Sequence, residues 1–126
     1  ILGNVRSIYS YNASTGWGVY YPNPGVPSTL STIEPRRAYF VMMNNSSSIT
    51  INGNTNNANG SYPVNPLNPG WNLIGIHNLT SRTVQQEIEN YNVSQVWKLN
   101  ATNAYERITN FNTQIQPGEG YWFYVP

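Results

Sequence analysis

The chain has 126 residues, a formal net charge of +1 and only 9% charged side chains, and it contains no cysteine. That length can bury one modest core. The lack of a basic stripe excludes a nucleic-acid backbone as partner, and the lack of cysteine excludes disulfides and thiolate metal sites. Asn occurs 20 times and Asp not once, so all five acids are glutamates. A surface solvated by amides and hydroxyls keeps its interactions when salt or pH moves. Average domains carry about 25% charged residues, so this composition points to an extracellular setting. No run is long and apolar enough to span a membrane. The opening ILGNVRSIY starts mid-phrase, as in a mature product or a fragment.

In chain order, SIYSY (7–11) and GWGVYY (16–21) are short, rich in β-formers and joined by an Asn/Ser/Thr turn, which predicts a hairpin. The PNPGVP loop follows, then the dense apolar run AYFVMM (38–43), of strand length. SITIN (48–52) alternates and ends in an NGN turn. Residues 53–69 form an Asn/Pro-rich linker. PGWNLIGI (69–76) is a strand introduced by a Pro-Gly turn. SRTVQQEIENYN (81–92) places Val84, Ile88 and Tyr91 on one helical face, with Thr80 or Ser81 as cap. QVWKL (95–99), AYERI (104–108) and GYWFYV (120–125) complete the set as strands.

The chain repeats itself. VRSIYSYNASTGW (5–17) lies on VSQVWKLNATNAY (93–105) without a gap, so Ile8 meets Val96, Tyr9 meets Trp97, Asn12 meets Asn100 and Trp17 meets Tyr105. After a six-residue insertion in the first copy, Ile33 meets Ile115, Pro35 meets Pro117, Tyr39 meets Tyr121 and Phe40 meets Trp122. Apolar size is kept where identity is not, as shared packing positions require. The expected fold is mainly β, with about eight strands and one short helix, as two repeats related by pseudo-twofold symmetry in a β-barrel or sandwich. Residues 1–52 form the first repeat, 53–69 the linker and 70–126 the second. The two copies are expected to share one core. The first lacks the opening strand and helix, and the second lacks the strand that SITIN supplies.

NPGWNLIGI, VWKL and QPGEGYWFYV resemble a class of repeats in archaeal and bacterial surface-layer-like extracellular proteins. The resemblance rests on Gly70 to Gly75, Trp97, Pro117, Gly118, Gly120, Tyr121 and Trp122, and spans nearly the whole chain in two partial copies. It implies modules strung along large surface proteins, in structural or adhesive roles, with no catalytic set. The first copy departs from the pattern at EPRRAY, where Arg36 and Ala38 replace the glycines of QPGEGY, and a type I turn is expected there.

Little in the chain suggests chemistry. His77 is the only histidine and has no Asp or Cys to join it. Glu87 and Glu89 diverge on their helix, and Glu34 and Glu119 occupy matching turns that would allow a pseudo-symmetric carboxylate pair, although duplicated turns place them at opposite poles as readily as together. No cofactor, metal or enzymatic activity is expected. N-glycosylation candidates are Asn12, Asn45, Asn59, Asn78, Asn92 and Asn100, with Asn44 overlapping Asn45. Trp71, Trp97 and Trp122 sit at repeat-defining strand positions and are expected in the core. Trp17, Tyr20, Tyr21, Arg36 and Arg37 are the candidate contacts to a glycan or partner.

The expected function is a structural module of an extracellular cell-surface glycoprotein, in a surface layer or filament, which self-associates through strand edges. Its partners would be copies of itself or flanking repeats of a longer chain, together with covalent N-glycans. The alternatives are a secreted carbohydrate-binding or adhesive module, and a virion surface protein or accessory domain of a secreted hydrolase.

Overall fold

The computed structural model describes residues 2–48, 50, 66–76 and 81–126. Most of the strand expected at 48–52, most of the linker, His77, Asn59 and Asn78 lie outside the described residues. After a helical turn at Leu2–Asn4 come β1 (Val5–Asn12), β2 (Gly16–Tyr20), β3 (Phe40–Met43), β4 (Gly70–Gly75), β5 (Arg82–Thr83), α1 (Val84–Ile88), β6 (Gln95–Leu99), β7 (Tyr105–Ile108), β8 (Gln114–Ile115) and β9 (Gly120–Val125). All pairings are antiparallel. The protein is thus mainly β, as its patterning predicts, with nine described strands in three sheets. Among the described residues no helix is long and apolar enough to cross a membrane.

The sheets display the repeat. One runs β2-β1-β3 and the other β7-β6-β9-β4, so β1, β2 and β3 correspond to β6, β7 and β9. β4 and α1 have no described counterpart in the first copy. The short pair β5 and β8 is absent from the sequence-based expectation, because two-residue strands carry no period to detect. Their pairing, Arg82 with Ile115 and Thr83 with Gln114, also moves the helix start. Thr83, rather than Thr80 or Ser81, caps α1 in a capping box: its hydroxyl accepts from Gln86 N at 3.2 Å, and the Gln86 side chain accepts from Thr83 N at 2.9 Å.

The continuous core cluster belongs to the second copy, and Val5 is the one buried hydrophobic of the first among the described residues. Ile76, Val84, Ile88, Val96, Ile108, Ile115, Tyr121 and Phe123 form one buried cluster, built where α1 and the strand-end loops cover one face of the second sheet. Equivalent side chains of the first copy are not buried. Phe123 is 2% exposed and its counterpart Val41 50%; Ile115 is 1% exposed and Ile33 68%. The expectation of one shared core is therefore corrected. A sheet buries its apolar face only where another layer lies on it, and the described first copy has no helix to do so.

The two PxxxY turns grip β4 from opposite sides. On one side Gly75 N donates to Arg36 O at 2.9 Å and Ala38 N to Leu73 O at 3.5 Å, around an Arg37–Ile74 bridge. On the other, Ile76 N donates to Glu119 O at 3.0 Å and Gly118 N to Ile76 O at 3.2 Å. The approach is close enough that a Cβ on Gly75 would sit 2.6 Å from the Arg37 carbonyl oxygen. The expected difference between the turns is also corrected. Arg36 has φ 63° and Gly118 φ 83°, so both copies use the left-handed residue and neither is type I at that position. For a non-glycine this costs about 1–2 kcal/mol, which the bonds made by Arg36 offset.

Candidate functional site

Three features project from this frame: an aromatic groove between the sheets, an internal ion cluster, and a strand edge.

The groove follows from strand alternation. Along β9, Tyr121, Phe123 and Val125 turn to the core, so Trp122 and Tyr124 turn to the opposite face. Pairing aligns Trp122 with Leu73 of β4 and Trp97 of β6, and Trp71 with Tyr124. Tyr11, Trp17 and Phe40 of the first sheet meet this face. Their ring centroids lie 5.2, 5.9 and 6.2 Å from that of Trp122, and Trp71 lies at 6.4 Å. Each such pair is worth about 0.5–1.5 kcal/mol beyond its buried area. The copies are joined by this aromatic layer. Where the sheets diverge it opens into a groove of about 400 Å³ lined by Tyr11, Trp17, Trp71, Trp97, Tyr105 and Trp122.

Trp71, Trp97 and Trp122, expected in the core, thus stand on the other face of the sheet. GYWFYV is apolar at every position, so its composition does not say which alternate set is covered. Trp17 is 56% exposed on the groove wall, whereas Tyr20 and Tyr21 are half-buried and do not line it. Trp97 Nε1 donates to Gln95 Oε1 at 3.2 Å. The indole N–H groups of Trp17, Trp71 and Trp122 and the hydroxyls of Tyr11 and Tyr105 have no hydrogen-bond partner among the described residues.

The ion cluster was not expected. Glu87, whose side chain is 1% exposed, accepts from Arg36 Nη2 at 3.2 Å and from Arg82 Nη1 at 3.3 Å. Arg36 Nη1 also donates to the Tyr91 hydroxyl at 3.4 Å. Arg36 is therefore engaged within the chain: it ties the first-copy turn to the second-copy helix. Arg37 pairs with Glu34. Glu119 accepts from Gln116 N at 3.1 Å and from the Tyr121 hydroxyl. Burial first, and then that hydrogen bond, push the Tyr121 pKa far above the ordinary phenol value. Glu34 and Glu119 line one hollow, each held by its own turn. No cluster of three or more potential metal ligands occurs among the described residues.

The chain matches no known family model, no characterised protein and no solved structure.

Of the described sequons, Asn45 and Asn92 are exposed, and Asn12 and Asn100 are half-buried at matching hairpin turns. Asn12 Oδ1 accepts from Ser14 N at 2.8 Å, and Asn100 Oδ1 from Thr102 N and Ala104 N, both at 3.0 Å. The side-chain oxygens shape these turns.

The third feature is an edge. β2 is guarded on its outer side, because Thr29 N and Leu30 N donate to Val19 O at 2.8 and 3.0 Å, and Ser28 Oγ accepts from Tyr21 N at 2.9 Å. β3 has no such guard among the described residues. Ala38 N points to β4 and Asn44 N to Asn4 O, so the even-numbered residues face the chain's own strands. The backbone groups of Tyr39, Val41 and Met43 therefore point the other way, and no described strand pairs with them. Val41, Met42 and Met43 are all exposed.

Proposed function

We propose that this chain is a structural module of an extracellular cell-surface assembly, a surface layer or filament, joined to its neighbours through the outer edge of β3. The observation that carries the reading is that apolar edge, unpaired among the described residues, set against a β2 edge that the chain covers with its own backbone. Exposed edges template further pairing, and strand addition is an established way to use one. The charge-poor, amide-rich composition and the surface sequons suit the same setting. The reading assigns no reaction to the chain.

Size-exclusion chromatography with light scattering tests it. The chain is expected to associate as concentration rises, and Val41→Arg to hold it monomeric with its melting temperature unchanged. A chain that stays monomeric at its solubility limit, or a Val41→Arg variant that associates equally well, overturns self-association through this edge.

The groove favours a second reading, a carbohydrate-binding module. Its rings offer flat apolar faces, and the indole N–H groups of Trp17, Trp71 and Trp122 and the hydroxyls of Tyr11 and Tyr105, without partners among the described residues, offer donors to hydroxyl-rich ligands. Oligosaccharide titration is expected to shift tryptophan fluorescence in the native chain and not in Trp17→Ala. An unchanged spectrum across a panel of neutral and acidic glycans removes this reading.

A further inference from the structure

The second copy contains its own answer to what the first copy's open face accepts. Aligned on the repeat, β3 takes the place of β9, whose outer edge is paired along its whole length by β4, from Gly70 opposite Val125 to Gly75 opposite Gly120. The face behind that edge is sealed by Val84 and Ile88 of α1 together with Ile76. Val96, Ile108, Ile115 and Phe123, buried in the same cluster, and Val125, buried at the end of β9, correspond to Ile8, Tyr20, Ile33, Val41 and Met43. None of those five counterparts is buried. The approach path is also shared. The chain enters β1 through the helical turn Leu2–Asn4, aligned with residues 90–92 that lead from α1 to β6, where Tyr91 N donates to Ile88 O at 2.8 Å.

We infer that the outer edge of β3 and the apolar face behind it form an acceptor site for a strand–helix unit of the type made by residues 70–88, supplied by a further copy of the repeat outside these 126 residues. This rests on the proposed module reading and names the partner of the same edge. The occupant cannot be the chain's own unit, which is seated on β9. Nor can a second copy of the chain lend its β4 and α1 without uncovering its own Phe123 and Val125, so such an exchange yields no net burial. The repeat also sets the register. The incoming Leu73 equivalent lies opposite Phe40, the Asn72 equivalent opposite Val41 and the Trp71 equivalent opposite Met42. The helix then lays its Val84 and Ile88 equivalents over Ile8 and Val41.

The test adds a synthetic peptide with the sequence of residues 66–91 to the full chain, and separately joins the same segment ahead of residue 1 through a Gly/Ser linker, which raises its effective concentration. In both formats the amides of Tyr39, Val41 and Met43 are expected to become protected from hydrogen exchange, with one peptide bound per chain. Val41→Arg in the chain, or Leu73→Arg in the peptide, is expected to weaken binding by more than about tenfold, the equivalent of about 1.4 kcal/mol. The inference is overturned if the linked segment leaves those amides unprotected, if the peptide displaces the chain's own β4 instead, or if binding survives Val41→Arg. Should the chain self-associate through Val41 while the linked segment fails, this inference falls and the module reading stands. Protection by the segment in a chain that never self-associates supports the inference and removes self-association.

Discussion

Phe123→Ala is expected to cost about 3–5 kcal/mol of unfolding free energy, and Val41→Ala, at the matching position of the other copy, less than about 0.5 kcal/mol. The sequences around the two positions are similar, so propensity does not separate them. Burial does. Phe123 is 2% exposed within the cluster formed with Val84, Ile88 and Val96, and truncating it leaves a cavity that α1 and the sheet cannot both close. Val41 is 50% exposed with solvent already against it. Urea denaturation of both variants, read by circular dichroism, checks the asymmetry. Equal losses at the two positions would mean that the first half-sheet carries a cover of its own in solution.

Arg36→Ala is expected to lose about 2–3 kcal/mol. Removing one partner of a buried ion pair typically costs about 3–5 kcal/mol, and here Arg82 stays behind to hold Glu87, at 3.3 Å. Arg36→Gly is expected to lose about 1 kcal/mol less, because it relieves the left-handed backbone at φ 63° while forfeiting the same ion pair. Unfolding midpoints of the two variants separate the ionic from the conformational part. Equal midpoints would show that the turn changes conformation once the guanidinium is gone. A wild-type midpoint in Arg36→Ala would show that Glu87 needs only Arg82.

These two predictions mark different distances between sequence and structure. For Phe123 the repeat alignment identifies the position as a shared one, but it also predicts equal burial of Val41, which the structure contradicts. Alignment reports which residues occupy equivalent backbone sites and carries no information on which copy has a helix over it. Arg36 shows the opposite. Its replacement of glycine in EPRRAY is visible as a departure from QPGEGY, yet read alone it suggests a changed turn and an exposed charge. Its partner, Glu87, is 51 residues away, and nothing local in either stretch couples them. The groove lies between. Its six aromatic residues are conspicuous as composition, and Trp17 is identifiable as exposed because it borders the inserted Pro-rich loop. The convergence of Tyr11, Trp71, Trp97, Tyr105 and Trp122 depends on two sheets facing each other.

What the sequence alone determined is local and periodic: seven of the strands, the short helix, the duplication, and the mismatch in which one copy has a strand and helix that the described first copy lacks. The strands and helix follow from backbone propensity and side-chain spacing within a dozen residues, interactions that do not depend on the rest of the chain, and the duplication and mismatch follow from comparing such stretches with one another. Only the tertiary structure decided which face of each sheet is covered, that both PxxxY turns clamp β4, that Arg36 is drawn inward to Glu87, and that the outer edge of β2 is bonded by its own loop while no described strand pairs with that of β3. Those outcomes depend on which layer packs on which, and burial, the largest favourable term in folding, exists only once the layers meet.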